Sequence, residues 1–188
     1  MQIVTEYPNV LTKRFCHFII LIALNRLEEA EILGEQIDGY RTAQSCWLGD
    51  LNDSTPALRK IKEFVSDITN YPIENQEEIH IVKYSKGGEY KIHHDWFDEE
   101  TLKSENEDKR GGNRMFSFLI YLNDDFKGGE TDFPTLKHKI KPELGKGVLW
   151  KNIDEDGVPI EESEHAGLPV EEGTKWILII WIRENKFI

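Results

Sequence analysis

The segment Ile92-His93-His94-Asp95 sets two imidazoles and a carboxylate just after a strand-like stretch. In extended backbone, side chains at i and i+2 point the same way. His93 and Asp95 therefore converge on one point, while His94 turns to the other face. An imidazole and a carboxylate so placed make half of a facial triad, in which two His and one carboxylate hold one side of Fe(II). Many strands contain a His-x-Asp by chance, so the reading requires a distant second His. His17 falls in the first helical segment, His80 begins the preceding strand, and His138 lies in a Lys-rich segment. His165 stands in Glu164-His165-Ala166-Gly167, just before a strand. A bulged strand would present His94 to the metal instead of His93; the regular pleat favours His93.

Lys175 lies ten residues beyond His165 and heads the run Trp176-Ile177-Leu178-Ile179-Ile180-Trp181. That run is too apolar for a surface face. A lysine at the head of a buried strand needs an anionic partner, and a small dianionic ligand would supply one. The intervening Val170-Glu171-Glu172-Gly173 reads as a hairpin turn. It would set His165 and Lys175 on neighbouring antiparallel strands.

The elements that position these residues change character along the chain. Residues 12 to 31 read as a helix capped by Thr12, with Phe15, Phe18, Ile19, Ile22 and Leu27 on one face. Thr55 and Pro56 open a second helix, whose Leu58, Ile61, Val65 and Ile68 form a core-facing stripe. From residue 79 the period becomes two. Met115 to Leu122 reads as a strand buried on both faces, followed by strands at Gly147 to Trp150 and Trp176 to Ile182. Gly87-Gly88, Gly111-Gly112 and Gly128-Gly129 are turn signals between the strands. The class is α+β, with strands suited to a sandwich or barrel of the jelly-roll kind. At 188 residues the chain reads as one domain, 1–75 mainly helical support and 76–188 the strand core.

Composition narrows the function. Hydrophobic residues make up 39% of the chain, which supplies material for a real core. The net charge of −12 argues against a nucleic-acid partner. Two cysteines, Cys16 and Cys46, do not suggest a disulfide framework and fit a reducing compartment. The early apolar run from Phe18 to Leu24 is too short to span a bilayer, and no cleavage site follows it. A cytoplasmic protein without a membrane role is expected. Two acidic segments, Asp98 to Asp108 and Asp154 to Glu164, read as solvated loops; if they border a site, they would attract a basic partner.

Taken in order, the motifs resemble the catalytic domain of prolyl 4-hydroxylases, in the Fe(II)- and 2-oxoglutarate-dependent oxygenase superfamily. The resemblance rests on Arg41 to Leu48, on Tyr84 through Gly87-Gly88 and Tyr90 to His93-His94-Asp95, and on Arg114 through Tyr121-Leu122. Gly128-Gly129-Glu130-Thr131, Phe133-Pro134, and the spacing of His165, Lys175 and Trp181 complete it. It implies a double-stranded β-helix core and a dioxygenase that hydroxylates a prolyl residue in a peptide or protein, releasing succinate and CO2. It implies that His93, Asp95 and His165 hold Fe(II). Lys175 would pair with the distal carboxylate of 2-oxoglutarate, with Tyr84 and Ser117 hydrogen-bonding nearby. Trp181 would line the site for the target proline, and Arg183 would contact substrate where collagen-type enzymes carry His. Ser117 keeps the hydroxyl of the family's usual Thr. O2 is the second cosubstrate, and ascorbate is compatible as an auxiliary. The same chemistry on another side chain or a small molecule, or metal and 2-oxoglutarate binding without turnover, stand as the alternatives.

Overall fold

A computed structural model describes residues 2–29, 42–49 and 55–188. Helix α1 (Lys13–Ala23) starts at Thr12, whose hydroxyl accepts from the Phe15 amide at 3.4 Å. It ends well before residue 31, because Glu28–Glu29 leave the helix to pair as β2 with β3 (Gln44–Trp47). The last two residues of the expected helix lie outside the described residues. Helix α2 (Pro56–Thr69) begins after an extended Thr55 with proline in its first turn, and Asn70 closes it in the left-handed conformation at φ 60°. Leu58, Ile61 and Val65 of the expected stripe are buried and Ile68 partly so. Among the described residues no helix is long and apolar enough to cross a membrane.

The strands form two facing sheets and a small ribbon. Seven strands make the larger sheet in the order β1-β10-β6-β13-β4-β3-β2. Its remaining members are β1 (Val4–Tyr7), β4 (His80–Tyr84), β6 (Arg114–Tyr121), β10 (Gly147–Lys151) and β13 (Lys175–Arg183). The smaller sheet runs β5 (Tyr90–His93), β11 (His165–Gly167), β8 (Thr131–Phe133), β9 (His138–Ile140). A ribbon pairs β7 (Lys127–Gly128) with β12 (Val170–Glu172). A short helix α3 (Glu99–Ser104) follows β5. All pairings are antiparallel, as a double-stranded β-helix requires. The first 75 residues therefore supply three strands of the larger sheet as well as helices.

Alternation divides the core into two. Phe116, Phe118, Ile120, Leu178 and Ile180 face α1 and α2, against Cys16, Ile19, Leu58, Ile61 and Val65. Leu119, Tyr121, Ile177, Ile179 and Trp181 face the smaller sheet, with Val82, Tyr84, Phe133, Val148 and Trp150. Both central strands, β6 and β13, are buried along their whole length, the expected consequence of being covered on both faces. Each fully buried Leu or Ile contributes about 1.5–3 kcal/mol, so the helical layer is what keeps the back of the sheet dry. Cys16 and Cys46 are buried free thiols. Burial raises both to a pKa of about 11, which leaves them unreactive near neutrality.

The hairpin expected at Val170 to Gly173 does not form. β12 pairs with β7 of the ribbon, and Gly173, at φ +83°, turns the chain away into the larger sheet. His165 and Lys175 accordingly stand on opposite sheets rather than on neighbouring strands.

Candidate active site

His93 ends β5 and His165 begins β11, and the two are direct partners across the antiparallel pair. Their rings lie 4.3 Å apart. Asp95 sits on the bend just beyond β5, and one ligand atom from each of His93, Asp95 and His165 falls within 4.8 Å of the others. His93 Nδ1 donates to the Lys91 carbonyl at 2.7 Å and His165 Nδ1 to the Ser163 carbonyl at 2.9 Å. Each ring therefore presents Nε2 to the common point, the tautomer that metal ligation needs. Tyr90 stacks on His93 at 3.6 Å, and Trp150 packs edge-on against His165 at 4.7 Å. These rings hold the imidazoles in orientation. His94 turns away and approaches Glu161 and Glu164 at 3.5 and 3.9 Å, so the pleat decides for His93. That contact also brings the second acidic segment to the border of the site.

Asp95 is only 5% exposed. Burial alone would raise its pKa, but the adjoining His165, His93 and Arg114 and a hydrogen bond from Ser117 hold it at about 2. It is an ionised ligand at any physiological pH. Ser117 Oγ donates to Asp95 Oδ2 at 2.6 Å and accepts from Asn152 Nδ2 at 2.9 Å. Ser117 is thus fully buried behind the carboxylate instead of lining the cosubstrate cavity as expected. Its level along β6 explains it: Ser117 lies opposite Trp150 and Trp181, on the same face as Leu119, and is level with Asp95 rather than with Lys175.

A small cavity, open to solvent on one side, runs from the triad between the sheets. Tyr84, Thr131, Gly167, Lys175 and Trp181 line it. Lys175 is 2% exposed, and its ammonium makes no hydrogen bond or ion pair with any described residue. Its ammonium lies near the rings of Tyr84 and Tyr121, at 5.2 and 5.7 Å from the ring centres. Burial pulls its pKa down to about 7, with the charge of Glu130 opposing weakly. A pocket walled by aromatic and aliphatic side chains that ends in a buried ammonium without a paired carboxylate fits a carboxylate ligand, because pairing restores what desolvation removes. The three-ligand cluster fits Fe(II) on its donor set, two imidazoles and one carboxylate. Metal at one end and ammonium at the other fit a dicarboxylic oxo acid between them.

The structure does not bring Arg183 into this cavity. The β13–β6 register slips between Ile182 and Arg183, so Arg183 lies opposite Arg114. Glu77 bridges the two, bonding Arg114 Nε at 2.7 Å and Nη2 at 3.0 Å, and also Arg183 Nε. Arg183 further bonds Glu107 and the Gly112 carbonyl and is 1% exposed. Arg114, Arg183, Glu77 and Glu107 form a buried ion-pair cluster, which Arg110 joins from the surface by bonding Glu107 at 2.8 Å. It removes Glu107 from the expected solvated loop and anchors Gly112, a turn glycine. Sequence reasoning gave no role to Asn152, Tyr121 or Glu77. Each acts through a partner distant in the chain, as in the 2.6 Å Tyr121–Thr131 hydroxyl contact, and no local pattern marks such pairs.

A model of the 2OG-Fe(II) oxygenase superfamily matches residues 79–183, the span that holds every triad and cavity residue above. The chain belongs to this superfamily. Fe(II), 2-oxoglutarate and O2 are accordingly its cofactor and cosubstrates, and it is a dioxygenase. It is 32% identical to a prolyl 4-hydroxylase homologue of Acanthamoeba polyphaga mimivirus, over 95% of this chain and 73% of the relative. It is 32% identical to prolyl 4-hydroxylase 1 of Arabidopsis thaliana, over 94% of this chain and 67% of that protein. The viral collagen prolyl hydroxylase of Paramecium bursaria Chlorella virus-1, solved with 2-oxoglutarate, superposes with a TM-score of 0.78 at 27% identity. That match covers 97% of this oxygenase and 96% of the viral chain.

Proposed function

We propose that this oxygenase hydroxylates a prolyl residue within a peptide or protein, with 2-oxoglutarate and O2 as cosubstrates and succinate and CO2 as coproducts. The observation that carries the reading is Trp181, an aromatic wall of the same cavity that holds the triad and Lys175. Its likeness to prolyl 4-hydroxylases supports the proline assignment. When held by His93, Asp95 and His165, Fe(II) would supply the redox chemistry that lets O2 act as the oxidant, with one oxygen ending in succinate and the other on the target carbon.

The chain's own residues position and exclude. Both histidines are fixed through Nδ1, and Asp95 is fixed through Oδ2 by Ser117. Lys175 orients the oxo acid by its far carboxylate, as a point charge that an arginine fork would not reproduce. Tyr84, Leu119, Trp150, Ile177 and Ile179 keep the cavity wall apolar, which restricts water near the metal. The test is succinate release from 2-oxoglutarate with and without proline-containing peptides, with the peptide product mass recorded. Release stimulated by such peptides, with a gain of one oxygen on proline, is the expected result. Stimulation only by peptides or small molecules without proline would remove the target assignment.

A further inference from the structure

Asn152 directly follows β10 and is fully buried. Its main chain is held from both sides. The amide donates to the Met115 carbonyl of β6 at 2.8 Å, and the carbonyl accepts from the Ile160 amide at 2.9 Å. Ile153 and Pro159 bridge just beyond and close the segment between them into a hairpin. The Ile160 carbonyl in turn accepts from the Ser163 amide at 3.0 Å and from the Ser163 hydroxyl at 2.7 Å. The Ser163 carbonyl is the acceptor that holds His165 Nδ1. The backbone of Asn152 therefore roots the turn that orients His165, and that fixed backbone aims its side chain at the support of Asp95.

Asn152 Nδ2 donates to Ser117 Oγ at 2.9 Å, and Ser117 Oγ donates to Asp95 Oδ2 at 2.6 Å. A serine hydroxyl carries one proton and rotates to suit its neighbours. An N–H fixed behind it occupies an oxygen lone pair and leaves the proton for Asp95. The histidines do not distinguish the two carboxylate oxygens: Asp95 Oδ1 lies 3.7 Å from His93 Nε2, and Oδ2 lies 3.8 Å from His165 Nε2. The Ser117 bond does distinguish them. The far end of the amide is informative as well. Asn152 Oδ1 is buried without a hydrogen-bond partner among the described residues. A side chain placed for packing alone would not carry an unpaired buried acceptor, which costs stability.

We infer that Asn152 is a positioning residue for the metal site: it turns the Ser117 hydroxyl onto Asp95 Oδ2, so that Oδ1 keeps its lone pairs for the metal. The inference concerns the metal centre and stands apart from the identity of the substrate. Groups that hold a metal-ligating carboxylate in orientation tune affinity without touching the ion.

The test is a double-mutant cycle on Mn(II) affinity, measured by isothermal titration of the oxygen-free, chelator-stripped protein without 2-oxoglutarate. The proteins are wild type, Asn152→Leu, Ser117→Ala and the double variant. Leucine keeps the bulk of asparagine and removes the donor. Asn152→Ala runs through the same cycle, since it cannot clash, and near-UV circular dichroism checks the fold of each protein. Asn152→Leu is expected to weaken Mn(II) binding about tenfold when Ser117 is present. In the Ser117→Ala background the same substitution is expected to change affinity less than about twofold, because the bond has lost its recipient. A merely structural role would not produce that dependence on Ser117. Unchanged affinity in Asn152→Leu and Asn152→Ala overturns the inference. An equal loss in both backgrounds also overturns it, because Asn152 then acts on the site by another route. If neither Asn152 variant keeps the native circular dichroism, Asn152 serves the fold and the inference falls.

Discussion

Lys175→Met is expected to make the metal-free, ligand-free protein more stable at neutral pH and to abolish 2-oxoglutarate binding. The ammonium is buried without a carboxylate partner among the described residues, and its pKa falls from 10.5 in the free side chain to about 7. At about 1.4 kcal/mol per pH unit, that drop is a cost to the fold of about 5 kcal/mol at most. Below pH 7 the lysine is charged in both folded and unfolded chains, and the fold bears the whole cost. Between pH 7 and 10.5 the folded form is neutral and the unfolded form charged, so the cost shrinks as pH rises; above 10.5 it vanishes. Methionine keeps the length and removes the charge. Its advantage is therefore up to about 5 kcal/mol at pH 7 and about 1.4 kcal/mol at pH 9.5. For a domain of this size that corresponds to a gain in Tm on the order of 10 °C at pH 7 and about 3 °C at pH 9.5.

Thermal melts of both proteins in chelator, at the two pH values, read the difference directly. The comparison cancels other titrating groups, which the two proteins share. A methionine variant that is less stable than wild type at pH 7, or an advantage that does not change with pH, would refute the reasoning. The ligand side carries the same sign. A dianion pairing with Lys175 restores its proton, so wild-type affinity for 2-oxoglutarate falls as pH rises above 7, by at most about tenfold per unit.

Further outcomes follow from the surrounding contacts. Ser117→Ala removes the donor to Asp95 Oδ2 and should weaken Mn(II) binding about 10- to 100-fold; Ser117→Thr should retain it, and equal affinities in all three proteins would remove Ser117 from that role. Glu77→Gln leaves Arg114 and Arg183 with only Glu107 in their buried cluster. A loss of about 3–5 kcal/mol in denaturant unfolding is expected, and a loss under about 1 kcal/mol would mean the cluster relaxes or admits water. Gly129 sits at φ +68°, and a Cβ there would lie 3.1 Å from Lys175 Cδ and 3.0 Å from Phe126. Gly129→Ala should therefore raise the KM for 2-oxoglutarate while leaving Mn(II) affinity within about twofold.

How much of the site was legible depends on how local each relation is. The His93–Asp95 convergence follows from backbone period two, and the structure keeps it even though Asp95 has left the strand. The α2 stripe follows from period 3.6, and Leu58, Ile61 and Val65 are buried by it. The short span of Val170 to Gly173 suggested a hairpin for an equally local reason, yet the backbone groups of β12 found partners on β7. That choice sends His165 and Lys175 to opposite walls of one cavity. Arg183 shows the same limit. The family resemblance directed it toward the site, and the slip opposite Arg114 committed it to Glu77 and Glu107.

The sequence by itself determined which residues could bind metal and anion, and that an apolar strand would carry Lys175 into the interior. These are properties of residue type and of dihedral period, both written along a few neighbouring positions. Only the tertiary structure decided that Ser117 braces Asp95, that Asn152 braces Ser117, and that Trp47, His80 and Trp181 line up across three strands. Those relations depend on register between strands far apart in the chain. Register is set by the whole set of buried faces and backbone hydrogen bonds at once, so no single segment encodes it.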